Sequence, residues 1–153
     1  MTRETPSPRI RQVAAGIVLV LLGWLAISYG RQYGLVLARS AVLDMLSASL
    51  LIMGVVVRVM AFKEIRCTYR IKNLVMSGIY SKTRNPVYLA IMFIIAGIAL
   101  LSRRLLALAW VLVSVAVLYY LAKKEENDLE KTFGDEYMKY KKRVPMFLPR
   151  FKE

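Results

Sequence analysis

The sequence predicts an all-α integral membrane fold: four transmembrane helices, the last two forming a helical hairpin, followed by a C-terminal cytoplasmic segment at the interface. Two observations carry this. Of the 153 residues, 58% are hydrophobic, too many for a soluble core of this size. They are gathered into runs from Val13 to Gly30, Ser40 to Val57, Val87 to Leu101 and Leu105 to Ala122, each near the ~20 residues that cross hydrocarbon and the third the shortest. The basic residues supply the second observation. Most of the 23 Lys and Arg lie before the first run, between Arg58 and Arg84, or after Ala122, which leaves Arg31, Arg39, Arg103 and Arg104 on the opposite side. The positive-inside rule then puts both termini and the central loop in the cytoplasm.

Taken in order, residues 1–12, with Pro6 and Pro8, read as a short disordered leader. Arg3, Arg9 and Arg11 precede the first run as they would precede a signal peptide, but no small-residue cleavage pattern follows, so the run reads as a retained helix. Helices 1 and 2, residues 13–62, read as a hairpin, with Tyr29 to Tyr33, Gly30 and Gly34 as a tight outer turn bearing interfacial aromatics. Asp44 falls about one turn inside helix 2. An intramembrane carboxylate is a functional suspect by default, and the blander reading, which we favour, pairs it with Arg39 or water near the interface.

The central segment, residues 63–86, starts as a basic continuation of helix 2 through Glu64 and Arg66, becomes an irregular loop at Thr68-Tyr69-Arg70-Ile71 and turns at Ser77-Gly78. Asn85-Pro86 has the signature of a helix start, Asn as N-cap and Pro at the first helical position. Helices 3 and 4, residues 87–133, are joined by little more than Ser102-Arg103-Arg104 and are therefore antiparallel neighbours. Helix 4 continues past its apolar run through Lys123, Lys124, Glu125 and Glu126, with no breaker until Gly134. Residues 134–153 form a basic, aromatic cap suited to the interface. The whole chain reads as one membrane domain.

The hairpin brings Glu125 and Glu126 to the same membrane face as Tyr80 and the run Arg84-Asn85-Pro86-Val87-Tyr88. For the acids, the alternative is a solvated helix face paired with neighbours such as Lys123 or Lys124. For Tyr80 and Tyr88 it is ordinary interfacial aromatics. The net charge of +13 flanks apolar helices, where basic groups set orientation and meet anionic headgroups, so the bilayer and not nucleic acid is the expected partner. With Cys67 the single cysteine and no histidine, disulfide frameworks, Cys/His zinc sites and histidine triads are excluded, and no metal is expected.

Gly78-Ile-Tyr80, Arg84-Asn85-Pro86-Val87-Tyr88, the hairpin, Glu125-Glu126, Phe133-Gly-Asp-Glu-Tyr137 and Tyr140 with Val144-Pro145 together resemble the isoprenylcysteine carboxyl methyltransferase and phospholipid methyltransferase superfamily over about residues 72–149. Helices 1 and 2 match only in character. The resemblance implies an S-adenosylmethionine-dependent methyltransferase with a lipophilic or lipidated acceptor. It implies a cofactor site lined by Lys72, Asn73, Leu74, Val75, Tyr80, Asn85, Pro86, Val87, Tyr88, Glu125 and Glu126, capped by the C-terminal segment, with Arg84 and Glu126 as the residues expected to serve catalysis. The family's usual histidine is Asn85 here, which can hydrogen-bond but cannot titrate. An arginine that some members carry four residues before the first glutamate is Leu121.

The residue chemistry agrees with that expectation. A sulfonium donor with an amino-acid head and an adenosine asks for acids near ammonium or ribose, donors for a carboxylate, and aromatic faces. No glycine-rich strand-to-helix turn of the soluble dinucleotide-binding kind is present. Methyl transfer needs alignment and exclusion of water more than acid–base groups, so the absence of histidine is tolerable. The acceptor stays open between a prenylated cysteine carboxylate, a phospholipid amine and a smaller lipophilic nucleophile. The non-enzymatic alternative is a small four-helix transporter or scaffold, for which Asp44 would be the membrane-embedded acid.

Overall fold

Apolar helices that must satisfy their own backbones in lipid account for nearly all of the architecture. The computed structural model describes residues 8–38, 40–68 and 74–147, and among these the regular elements are helical. They run α1 (Pro8–Tyr33), α2 (Ala41–Thr68), a short 3₁₀ turn (Gly78–Ser81), α3 (Pro86–Ser102), α4 (Leu105–Phe133) and α5 (Asp135–Arg143). Segments of α1, α2 and α4 are long and apolar enough to span a membrane, whereas α3 has 17 residues. At 1.5 Å per residue α3 extends about 26 Å, just short of a typical hydrocarbon core. Large apolar side chains point outward along these helices, Val42 and Leu112 being more than 70% exposed. In water such a surface would be untenable; in lipid it is the solvated face.

α1 packs on α4, α4 on α3, and α3 most extensively on α2. The expected pairing of helices 1 and 2 is therefore corrected: among the described residues they flank the α3–α4 hairpin instead of packing as a hairpin of their own. The reason lies in their connection. Residues 34–38 cross the tip of the hairpin, with the Leu37 amide donating to the Arg103 carbonyl (2.8 Å) and the Leu105 amide to the Leu35 carbonyl (3.2 Å). Small residues then decide the neighbours. On α2, Gly54 lies so close to α3 that a Cβ there would sit 2.9 Å from the Ala90 carbonyl oxygen; on α3, one at Gly97 would sit 3.0 Å from the Ser47 carbonyl oxygen. This is the backbone approach that small residues permit between membrane helices. Gly23 likewise accommodates the Trp110 ring between α1 and α4.

Other boundaries move. Pro8 opens α1 instead of belonging to an unstructured leader, and Tyr29 to Tyr33 form the last turns of α1 instead of a loop, their rings 5.2 Å apart. Helix 2 persists to Thr68, where the change of character was expected. The irregular segment expected after Thr68 lies outside the described residues, as does Arg39. Asp44 pairs with Arg103 at the hairpin tip, a partner that the sequence reading did not name. Gly134, with φ +52°, separates α4 from α5 where the break was expected.

Candidate functional site

The end of the hairpin opposite its tip is where Arg84 to Tyr88 lead into α3 and where Glu125-Glu126 lie on α4, about two turns before its end at Phe133. Glu126 is 3% exposed, and such a carboxylate requires partners. Its Oε1 accepts from Arg84 Nε (2.9 Å) and Asn85 Nδ2 (2.7 Å), and its Oε2 from Arg84 Nη2 (3.2 Å). The solvated-face reading therefore fails for Glu126. Asn85 does occupy the N-cap position of α3 with Pro86 following, but its side chain makes no capping bond. The local capping preference yields to a buried charge that needs a donor.

Arg84 also binds the C-terminal segment, Nη1 donating to the Lys141 carbonyl (2.8 Å). Beyond α5 the chain returns as a strap. Pro145 and Met146 accept from the Arg84 and Asn85 amides (3.0 and 3.2 Å), and Met146 also accepts from Thr83 Oγ1 (3.0 Å). Tyr140 donates its hydroxyl to the Tyr80 carbonyl (2.6 Å). On the other flank, Ser77 Oγ donates to Glu64 of α2 (2.8 Å), and a side chain at Gly78 (φ +55°) would collide with that carboxylate. The segment 77–85 is thus fixed from both sides.

These contacts frame a polar chamber of about 580 Å³ lined by Tyr80, Arg84 through Tyr88, Glu125 and Leu129, with Arg58, Phe62, Ile65 and Arg66 from α2, a size typical of small-molecule sites. Of the residues expected at a cofactor site, it gathers Tyr80, Asn85, Pro86, Val87, Tyr88 and Glu125. Glu126 stands behind it as the anchor of Arg84 and Asn85. Leu74 packs instead on the cluster of Tyr137, Tyr140 and Val144; Val75 is half-buried and is not among the lining residues; Lys72 and Asn73 lie outside the described residues. The α2 wall was missed by sequence reasoning, although Arg58, Phe62, Ile65 and Arg66 recur at the one-face spacing of a helix. Burial, with the Glu125 charge adding to it, pushes the Tyr80 phenol up to about 12, so it remains a hydrogen-bond donor at neutral pH.

A second chamber of about 600 Å³ lies against the first and is almost wholly apolar. It runs between α1, α3 and α4, past Leu19, Ile91, Ile95, Trp110 and Leu118, and Leu121 is in its wall. Arg58, Val87 and Tyr88 line both chambers.

Residues 42–136 match the sequence profile of a phospholipid methyltransferase family. The chain belongs to that family. The match takes in α2, α3, α4 and the start of α5, and so reaches farther toward the N-terminus than the motifs alone suggested. A search of curated proteins found no match. Membership makes the chain a membrane methyltransferase, and its lipid-facing helices fit an integral membrane protein. Among the described residues no group of Asp, Glu, Cys or His could hold a metal.

Proposed function

We propose that the protein transfers a methyl group from S-adenosylmethionine to a lipophilic acceptor at the membrane face. The observation that carries this is the pair of chambers that share Arg58, Val87 and Tyr88, one mixed and carrying charged and polar side chains, the other almost wholly apolar. The polar chamber has the donor set the cofactor needs: the Glu125 carboxylate for an ammonium or ribose hydroxyls, the Asn85 amide, and aromatic faces at Tyr80, Tyr88 and Phe62. When bound, the cofactor supplies an electrophilic methyl on a positively charged sulfur. The apolar chamber suits the hydrocarbon part of the acceptor, with its nucleophilic atom at the shared neck.

Each part of the chain then has a defined task. Tyr88 and Val87 at the neck align the two ligands and keep water out, the main requirements of an in-line displacement. The nucleophile's lone pair forms the new bond to carbon while the carbon–sulfur pair returns to sulfur. Arg84 and Glu126, with their donors and oxygens engaged by each other, Asn85 and Lys141, serve the reaction by holding Asn85 and the start of α3 in register. The strap supports the chamber wall from behind, through its carbonyls on Thr83, Arg84 and Asn85. Four crossings with both termini cytoplasmic complete the reading: α1 and α3 run toward the tip, α2 and α4 away from it, and the cofactor enters from the cytosol.

Calorimetric titration of the detergent-purified protein with S-adenosylhomocysteine tests this. Saturable binding that Glu125→Ala abolishes, in a protein that still unfolds cooperatively, is the expected result. No binding by the folded wild type would overturn the proposal.

A further inference from the structure

Three arginines line the polar chamber, and they differ in what already holds them. Every donor-bearing arm of Arg84 is engaged, by Glu126 and by the Lys141 carbonyl. Arg66 places its guanidinium over the Phe62 ring, 5.4 Å from the centroid. Arg58 makes no hydrogen bond or ion pair among the described residues, and it is the cation that also reaches the apolar chamber. Its charge is felt inside the site, because it opposes the upward push on the Tyr80 phenol.

Arg58 is exposed and lines both chambers, so its guanidinium, long enough to follow an apolar wall while its head stays solvated, is within reach of a ligand that spans the two. The other side of the neck reinforces the point. Leu121 contributes only hydrocarbon to the apolar wall, so α4 offers an acidic headgroup no cation there, and α2 does.

We propose that Arg58 is the specificity-determining residue for the acceptor: it binds an anionic group on an amphiphile whose tail fills the apolar chamber, holding the head at Tyr88. This rests on the proposed function, since it assigns the apolar chamber to the acceptor. The anionic group is either a carboxylate that is itself methylated or a phosphodiester beside the methylated atom.

Intrinsic fluorescence can read this directly, because both tryptophans of the chain, Trp24 and Trp110, line the apolar chamber. Trp24 is 64% exposed and Trp110 8%, so Trp24→Phe leaves one buried reporter. The protein, in a neutral maltoside detergent with S-adenosylhomocysteine present, is titrated at mildly alkaline pH with brominated stearic acid, its methyl ester and a brominated phosphatidylethanolamine. The expected result is saturable quenching of Trp110 by either the acid or the phosphatidylethanolamine, whose phosphodiester carries the anionic group, at roughly tenfold lower concentration than by the ester, the worth of one charge-assisted hydrogen bond. Which lipid shows the preference separates the carboxylate from the phosphodiester. Arg58→Gln should erase the preference and Arg58→Lys restore part of it, with S-adenosylhomocysteine affinity within about twofold of the parent.

Equal quenching by acid, phospholipid and ester overturns the inference, as does a preference that survives Arg58→Gln. Loss of S-adenosylhomocysteine binding in Arg58→Gln also overturns it, by assigning Arg58 to the cofactor. Failure of the parent protein to bind S-adenosylhomocysteine sinks the proposed function instead, and the quenching preference is read separately in its absence.

Discussion

Each end of the α3–α4 hairpin carries an arginine on a carboxylate, and the two pairs are built to different standards. At the motif end, Arg84 and Glu126 are 9% and 4% exposed, and Asn85, Lys141 and the strap satisfy the groups around them. At the tip, Arg103 and Asp44 are 25% and 37% exposed and sit in a turn where Arg103 takes a left-handed φ of 55°. A buried pair is expensive to assemble and more expensive to break, whereas an exposed one contributes little. The chain concentrates its polar satisfaction at the end where the two chambers meet and uses the other end as a fastening. Arg104 there also donates to the Gly30 carbonyl (3.0 Å), joining the tip to α1.

The largest effect should come from removing one member of the buried pair. Glu126→Ala leaves the Arg84 guanidinium buried with its main acceptor gone and Asn85 without its partner. A loss of about 3–5 kcal/mol is expected, read as a marked fall in the detergent unfolding midpoint. Retention of wild-type stability would mean that the two ends of the hairpin are equivalent after all.

Next in size is the strap. Truncation after Arg143 deletes the carbonyls that accept from Thr83, Arg84 and Asn85. At roughly 1 kcal/mol per hydrogen bond, about 3 kcal/mol of support for the chamber wall disappears. S-adenosylhomocysteine affinity should fall even though no lining residue has changed. Unchanged affinity would make the strap a fastening like the tip, and would count against its supporting the chamber wall.

The contrast also explains what was legible. Four apolar runs, the breaker at Gly134 and the short link at Ser102-Arg103-Arg104 were readable because hydrophobicity and turn chemistry are local. The pairing of α1 with α4 and α2 with α3 was not: all four runs are similarly apolar, and the choice is made by Gly23, Gly54 and Gly97 meeting particular neighbours. That the motif Arg84 to Tyr88 and the Glu pair meet at one end of the hairpin was readable, yet which of them line the chamber and which hold its wall was not. Asn85-Pro86 carries a strong local capping signal, and only the tertiary fold shows the amide turned to Glu126. Lys123 and Lys124 disguise Glu126 as a surface acid, although it faces inward one position after the half-buried Glu125. Arg58 was hidden because an arginine near the end of a membrane helix ordinarily signals topology alone.

A smaller effect concerns the tyrosines that hold α5. Burial drives the Tyr137 and Tyr140 phenols well above the usual phenol range, and Tyr80 to about 12. Each keeps its proton more tightly when folded, so the stabilisation is complete below the unfolded phenol value of about 10 and is lost as pH climbs from there through the folded values. The unfolding midpoint should therefore fall above about pH 10, and Tyr140→Phe should flatten part of that fall. At neutral pH the same substitution removes the bond to the Tyr80 carbonyl and should cost about 1 kcal/mol. An alkaline fall identical in wild type and Tyr140→Phe would remove Tyr140 from the account.

The smallest effect belongs to the tip. Asp44→Asn removes the charge from a half-exposed pair and leaves an amide oxygen that still accepts from Arg103, so less than about 1 kcal/mol should be lost. S-adenosylhomocysteine affinity and methyl transfer should be unchanged. This substitution carries more meaning than its size suggests, because Asp44 is the acid on which a transporter reading would depend. In a transporter Asp44 would be essential and Glu125 dispensable; in a methyltransferase whose working end is the motif end, Glu125→Ala abolishes ligand binding and Asp44→Asn does not. Measuring both variants in one calorimetric series sets the two ends of the hairpin directly against each other, and a reversed order would transfer the function from one end to the other.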